Sequence, residues 1–218
     1  YDQETIMDIY LNELNNKDKY LELRKQNLEY GMDYYELACY YKNNGEDEKA
    51  VKTALRGEKE GKGRIRDNIK FLKEYYLKTE NQKKALEYAK KEFKHSPSLK
   101  LYLSILELSS KDKQDKISQQ LISRLKNARR HNYNSVLAAI YEHHNQYKKI
   151  MELILNNKIT PDKYKQKLVN KFPQKMIEYY KTQVQKQINR KKRKYYRKAA
   201  NIALNIKNIY INNLKAPE

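Results

Sequence analysis

Cysteine occurs once in this sequence, as Cys39, which excludes an internal disulfide framework and any zinc site built from several cysteines. Five glycines and four prolines in 218 residues leave little material for a glycine-rich phosphate loop or a β-rich fold full of tight turns. Long apolar runs are missing as well. The stretches 136–141 and 153–155 fall far short of the roughly 20 residues that a spanning helix requires. The first 20 residues hold no apolar core of a secretory leader, so the expectation is a cytoplasmic chain with no membrane partner. The first residue is Tyr1 rather than Met, as expected for a piece of a longer chain.

What is present is charge and tyrosine. Lys and Arg number 47 against 27 Asp and Glu, for a net charge of +20, and charged residues make up 34% of the chain. With a mean hydropathy of −1.09, such a balance can belong to a disordered chain. The 21 tyrosines and three phenylalanines argue for a core, because each ring buries a large area behind a polar tip. A hydrophobic content of 39% suits a thin, extended fold that needs less core than a sphere. The charge forms a gradient. Residues 1–50 hold 6 basic and 12 acidic side chains, whereas residues 161–218 hold 16 and 3.

A pattern recurs along the chain. Residues 34–50 read as an amphipathic helix, a turn at Asn43, Asn44 and Gly45, and a second helix from near Glu46. Ala50, Ala54 and Gly57 fall at i, i+4 and i+7, three small residues on one helical face where a neighbour can come close. Ala85 and Ala89 repeat that face 35 residues later, after a helix closed by Leu72, Tyr75 and Tyr76, and Pro97 ends the pair. Further pairs read as 99–108 with 113–126, 135–144 with 147–156, and 162–170 with 173–188; a weaker pair, 5–14 with 18–29, precedes them. Residues 191–212 form one more long helix. The equivalent positions Tyr20, Ala50, Ala85, Ile117, Ile150 and Met176 stand 30, 35, 32, 33 and 26 residues apart, an irregular helix-turn-helix period. No segment alternates as a strand would.

Residues 31–64 resemble a tetratricopeptide repeat through Tyr34, Leu37, Ala38, Tyr41, Ala50, Ala54 and Gly57, and residues 66–97 do so through Leu72, Tyr76, Ala85, Ala89 and Pro97. A narrower resemblance covers most of the chain. Lys84-Ala85-Leu86-Glu87-Tyr88-Ala89, then Pro97-Ser98-Leu99, Phe172-Pro173 with Ile177-Glu178-Tyr179-Tyr180, and Tyr195-Tyr196-Arg197-Lys198-Ala199-Ala200 follow the order of features in the C-terminal helical region of SWIM zinc-finger proteins. The zinc finger of that family uses a Cys-x-Cys and a Cys-x-His pair, which a chain with only Cys39 lacks. The resemblance therefore implies a zinc site upstream, and neither zinc nor nucleic-acid binding is carried onto these residues. By resemblance to tetratricopeptide grooves, Met32, Tyr35, Cys39, Lys42 and Asn43 line the concave side of the first clear unit, and Asp67, Lys70, Glu74 and Lys78 that of the next. Such a groove holds an extended peptide or a partner helix.

Other chemistry-bearing residues carry plainer readings. His143 and His144, with His131, suggest a metal site, but neighbours on a helix point about 100° apart and chelate one ion poorly. Cys39 stands in an acidic segment with no histidine near it in sequence, which suits a packed thiol rather than a nucleophile. Glu46-Asp47-Glu48 opens a helix, where negative charge complements the dipole. Residues 181–198 hold Lys181, Lys186, Arg190, Lys191, Lys192, Arg193, Lys194, Arg197 and Lys198 with no acid, beside Tyr195 and Tyr196. Three readings stay open for this run: a solvated face whose lysine stems cover apolar surface, docking to an acidic protein, and nucleic-acid binding through phosphates and stacked bases.

The expectation is thus an all-α fold, a right-handed α-solenoid of about six tetratricopeptide-like helix pairs plus a C-terminal helix, in one domain over 1–218 with basic terminal helices over 174–212. The expected function is a non-enzymatic protein-interaction scaffold without cofactor. Nucleic-acid binding through 181–198 is the alternative.

Overall fold

Asparagine and serine stand where helical periodicity begins, because their side chains accept from backbone N–H groups that the first turn leaves unpaired. Asn16, Asn81 and Ser98 do this, accepting from the amides of Lys19, Lys84 and Leu101. Left-handed residues end other helices: Asn15, Asn145 and Asn157 have φ of 47°, 56° and 54°, and Gly45 has 78°. Glu80 and Lys191 take the same conformation without the asparagine or glycine that suits it, at φ of 55° and 52°.

The computed structural model describes residues 3–128 and 132–214, and its elements are helical. In order they are α1 (Gln3–Asp8), a π-helical turn (Ile9–Glu13), α2 (Lys17–Gln26), α3 (Gly31–Asn43), α4 (Asp47–Glu60), α5 (Arg66–Lys78), α6 (Gln82–His95), α7 (Leu99–Glu107), α8 (Lys111–Asn127), α9 (Asn132–His143), α10 (Tyr147–Leu155), α11 (Lys165–Lys171), α12 (Pro173–Ile188) and α13 (Arg193–Asn213). Among the described residues there is no strand, and one parallel bridge joins Tyr30 to Lys62. No described helix is long and apolar enough to cross a membrane. The helix pairs match the predicted ones within a few residues. The main shift is at α11, where a turn closed by the Tyr164 amide donating to the Pro161 carbonyl, at 2.8 Å, delays the helix to Lys165.

The contacts gather into two compact units, Tyr1–Gln120 and Leu121–Glu218. In the first, α3 packs on α4, α4 on α5, and α5 on α6. Tyr34, Leu37, Ala38 and Tyr41 of α3 are buried, as are Ala50, Ala54 and Gly57 of α4. The small-residue face is required at Gly57, where a Cβ would lie 2.4 Å from that of Tyr34 and 2.6 Å from Oδ1 of Asn68. Ala85 and Ala89 are buried in turn beneath α5, whose Leu72 and Tyr76 face the same core. Tyr75, next to Tyr76 in sequence, is half-buried and meets that ring edge-on. α7 joins α8 through the Tyr102 and Ser118 hydroxyls, 2.6 Å apart, and through Gln114, whose amide donates to the Leu106 carbonyl.

In the second unit α9 packs on α10 and α12 on α13, with α11 against both α12 and α13. Leu137, Ala138, Tyr141, Ile150 and Ile154 are buried, and so are Leu168, Met176, Ile177, Tyr180, Ala199 and Ile209. Pro173 opens α12, where its missing N–H costs nothing. The two units differ sharply in charge. Residues 1–120 carry 24 basic and 22 acidic side chains; residues 121–218 carry 23 and 5.

Candidate functional site

One face of α3 forms the wall of a groove. Its period of 3.6 residues sends Tyr34, Leu37, Ala38 and Tyr41 inward and leaves Tyr35, Cys39 and Asn43 on the other side. A cavity of about 390 Å³ opens there, lined by Tyr35, Cys39, Tyr40 and Asn43 of α3 and by Tyr20 of α2. Tyr20 and Tyr40 make its floor, with ring centroids 5.0 Å apart. Arg24, only 3% exposed, lies against the Tyr20 ring and holds the Glu36 carboxylate at 2.8 Å. Asn43 and Asn44 bring amides to the rim, where Lys17 donates to Asn44 at 3.4 Å.

Cys39 is half-buried and shares a hydrogen bond with the Tyr35 hydroxyl. Burial pushes the Cys39 thiol up from its ordinary range, which keeps it protonated and a poor nucleophile. The hydrogen bond to Cys39 and then burial push the Tyr35 phenol up to about 12, with the Asp67 and Glu74 carboxylates adding to the effect. Carboxylates of α5 thus lie within electrostatic reach of Tyr35 and Cys39 on α3. Glu74 acts on both Tyr35 and Cys39. Lys42 acts on Cys39 and rests 5.3 Å from the centroid of the Phe71 ring. Lys70 stands 3.9 Å from Glu74 in an exposed pair, and Asp67 is held by Arg64 at 2.6 Å. Met32 is half-buried and Lys78 exposed; neither lines the cavity, and nor do Lys42, Asp67, Lys70 and Glu74. Leu11, Lys17, Tyr20, Glu36 and Asn44 line it without having been singled out in the sequence. The signal available for them was the weak helix pair before Gly31, whose facing side the periodicity alone does not fix.

The basic segment folds around one turn. Lys186 ends α12, Arg190, Lys191 and Lys192 form the link, and Arg193, Lys194, Arg197 and Lys198 open α13. Arg190, Lys194 and Lys198 converge on Tyr195, at 4.7, 5.1 and 5.8 Å from the ring centroid. Cations over an aromatic face are attracted by its quadrupole. Tyr195 is consequently half-covered, whereas Tyr196 is 49% exposed and is the ring available for stacking. Lys186 donates to the Asn157 amide oxygen at 3.0 Å. Among the described residues no carboxylate lies within ion-pair distance of Lys186 or of the cations from Arg190 to Lys198.

His143 ends α9 and His144 follows it, both exposed, with their rings 5.2 Å apart and edge-on; His131 lies outside the described residues. Among the described residues no group of three or more His, Cys, Asp and Glu side chains is placed to hold a metal ion. Glu46, Asp47 and Glu48 stand at the start of α4, where Glu46 pairs with Lys49.

No protein-family model matches the chain, and a search of curated proteins returns no match.

Proposed function

We propose that this chain is a non-enzymatic interaction scaffold of the cytoplasm, a right-handed array of tetratricopeptide-like helix pairs that forms the helical part of a larger SWIM zinc-finger-type protein. The observation that carries this reading is the groove on α3. Three tyrosines and a protonated thiol line it, two asparagines give its rim donors and acceptors, and the α5 carboxylates lie nearby. Rigid aromatic surface with a few oriented polar groups suits a protein or peptide segment. The order of helix pairs and the buried small-residue faces of α4 and α6 agree with the repeat assignment. A photo-crosslinking residue at position 43 tests it. Capture of one stoichiometric protein at moderate salt, lost in Tyr35→Arg, supports the scaffold; capture indifferent to Tyr35→Arg counts against the groove.

The cations around Tyr195 and the exposed Tyr196 favour a second reading, nucleic-acid binding through residues 181–198. Titrating labelled single- and double-stranded nucleic acid at several salt concentrations tests it, since neutralised phosphates give a steep salt slope. Binding that survives charge removal at Arg190, Lys191, Lys192, Arg193 and Lys194 would sink this reading.

A further inference from the structure

A second groove lies in the unit 121–218, between α11 and α13, and its chemistry differs from that on α3. It encloses about 720 Å³, and amides dominate its walls. Asn201, Asn205, Asn208 and Asn212 follow one another at i, i+4, i+7 and i+11, a single stripe along α13. Two rungs tie the helices together across the groove. Lys165 of α11 donates to the Asn205 amide oxygen at 2.6 Å, and Asn213 donates to that of Asn170 at 3.0 Å. Between the rungs the floor is apolar, formed by Val169 and Ile209, both buried. Above that floor Gln166 stands on one wall and Asn208 and Asn212 on the other. All three are exposed, and none makes a side-chain hydrogen bond to a described residue.

A primary amide carries a donor and an acceptor side by side, the same pair that a peptide group presents along an extended chain. The spacing fits as well. Asn208 and Asn212 are four residues apart, a rise of about 6 Å along the helix. Alternate residues of an extended chain repeat at about 6.6 Å, and their N–H and C=O groups point to the same side. Asn208 and Asn212 therefore address two alternate residues of one strand, while Gln166 addresses the opposite edge. The eight helical steps from Asn205 to Asn213 span about 12 Å, room for roughly four extended residues between the rungs. Charge selects the strand: Lys163 and Lys165 line the groove against the single carboxylate of Asp162, within a unit of 23 basic and 5 acidic side chains, a balance that favours an acidic segment.

We propose that the groove between α11 and α13 binds an extended acidic peptide segment of a partner protein, read through its main chain by Gln166, Asn208 and Asn212. The inference rests on the scaffold reading and gives it a second site with a partner class.

The probe is a fluorescein-labelled octapeptide of alternating Glu and Ala, titrated by anisotropy into the whole chain at moderate salt. It is compared with an analogue N-methylated at alternate main-chain amides and with an eight-residue deoxyadenosine oligomer. The variant is Asn208→Ala with Asn212→Ala, at exposed positions whose truncation leaves no cavity, and circular dichroism verifies its fold. Loss of two paired amides weakens octapeptide binding about tenfold or more, and N-methylation does the same without adding to the loss in the variant. An N-methylated peptide that binds as tightly as its parent overturns the proposal, as does an unchanged affinity in the variant or no octapeptide binding at all. Tighter binding of the deoxyadenosine oligomer, abolished by the same two substitutions, also overturns it and assigns the groove to nucleic acid. Tyr35→Ala separates the two sites. It leaves octapeptide binding intact, so failure of the α11–α13 site does not touch the α3 groove, which the position-43 capture tests independently.

Discussion

The side-chain amide of Asn68, on α5, donates to the carbonyl oxygen of Gly31 at 2.5 Å, fastening two residues 37 apart in sequence. Asn68 is fully buried, and Gly57 of α4 passes so close that any Cβ there would strike its Oδ1. Three helices thus meet at one amide and one missing side chain. Asn68→Leu removes the donor from a buried carbonyl and should cost about 1–3 kcal/mol. Gly57→Ala, by overpacking, should cost about 1–3 kcal/mol as well. Because both act at one point, the double variant should be non-additive, which denaturant midpoints in a double-mutant cycle would reveal.

Ala85 has no exposed surface and lies in the core shared by α5 and α6. Ala85→Arg would force a long cation into that space. The expectation is a thermal midpoint lowered by many degrees, or no folded protein at all. A midpoint equal to that of the parent would contradict the packing of α6 on α5.

Lys191 holds a left-handed φ of 52° in the middle of the basic turn. Lys191→Asn relieves that conformation, so it should stabilise by about 0.5–1 kcal/mol. The same change should weaken the binding of a polyanion such as heparin. Thermal melts and a salt-gradient elution from immobilised heparin together check the two opposite effects.

Glu142 receives Lys163 at 2.9 Å and Lys167 at 3.1 Å. The hydrogen bond from Lys163, with that from Lys167, holds its carboxyl below the usual carboxylate range against the opposing effect of burial. A depressed native value means stability that is present above the unfolded carboxylate pKa, about 4.3. That stability is lost as pH falls from there through the native value. Glu142→Gln should therefore lower stability at neutral pH and flatten the acid limb of a stability–pH curve. An acid limb of unchanged slope would refute the linkage.

Tyr35 gives the opposite sign. Its phenol is raised to about 12, so its contribution to stability is full below about 10, the ordinary tyrosine value, and fades as pH rises toward 12. Ultraviolet titration of tyrosinate should show a late-ionising class that includes Tyr35 and Tyr180, the latter also raised to about 12 by burial. Tyr35→Phe should remove one phenol from that class while leaving the early class unchanged.

Much of this architecture was legible in the residue pattern. Ala50, Ala54, Ala85 and Ala89 announced close helix approach by spacing alone, and all four are buried. Proline and asparagine marked the ends of the pairs. The groove was half legible: Tyr35, Cys39 and Asn43 fell on the right face because α3 has a single regular period, but Tyr20 and Leu11 come from a segment interrupted by a π-helical turn, which shifts the facing side. The roles of the paired tyrosines were not legible either. Tyr195 and Tyr196 are neighbours in sequence, yet one is ringed by cations and the other stands open, a difference fixed by the direction in which α13 leaves the turn. The amide stripe of α13 was readable as a period, and only its placement opposite Gln166 gives it meaning.

The uneven partition of charge has a consequence for how the chain holds together in different media. With 24 bases against 22 acids, the residues 1–120 gain and lose comparable electrostatic energy as ions are added. With 23 against 5, the residues 121–218 are strained by their own mutual repulsion, which dissolved ions relieve over a screening length of about 10 Å at 0.1 M. Raising ionic strength should therefore slow amide hydrogen exchange in α9, α10, α12 and α13 far more than in α3 to α6. The anions of the surrounding medium would then stabilise one half of the sequence and leave the other nearly unmoved.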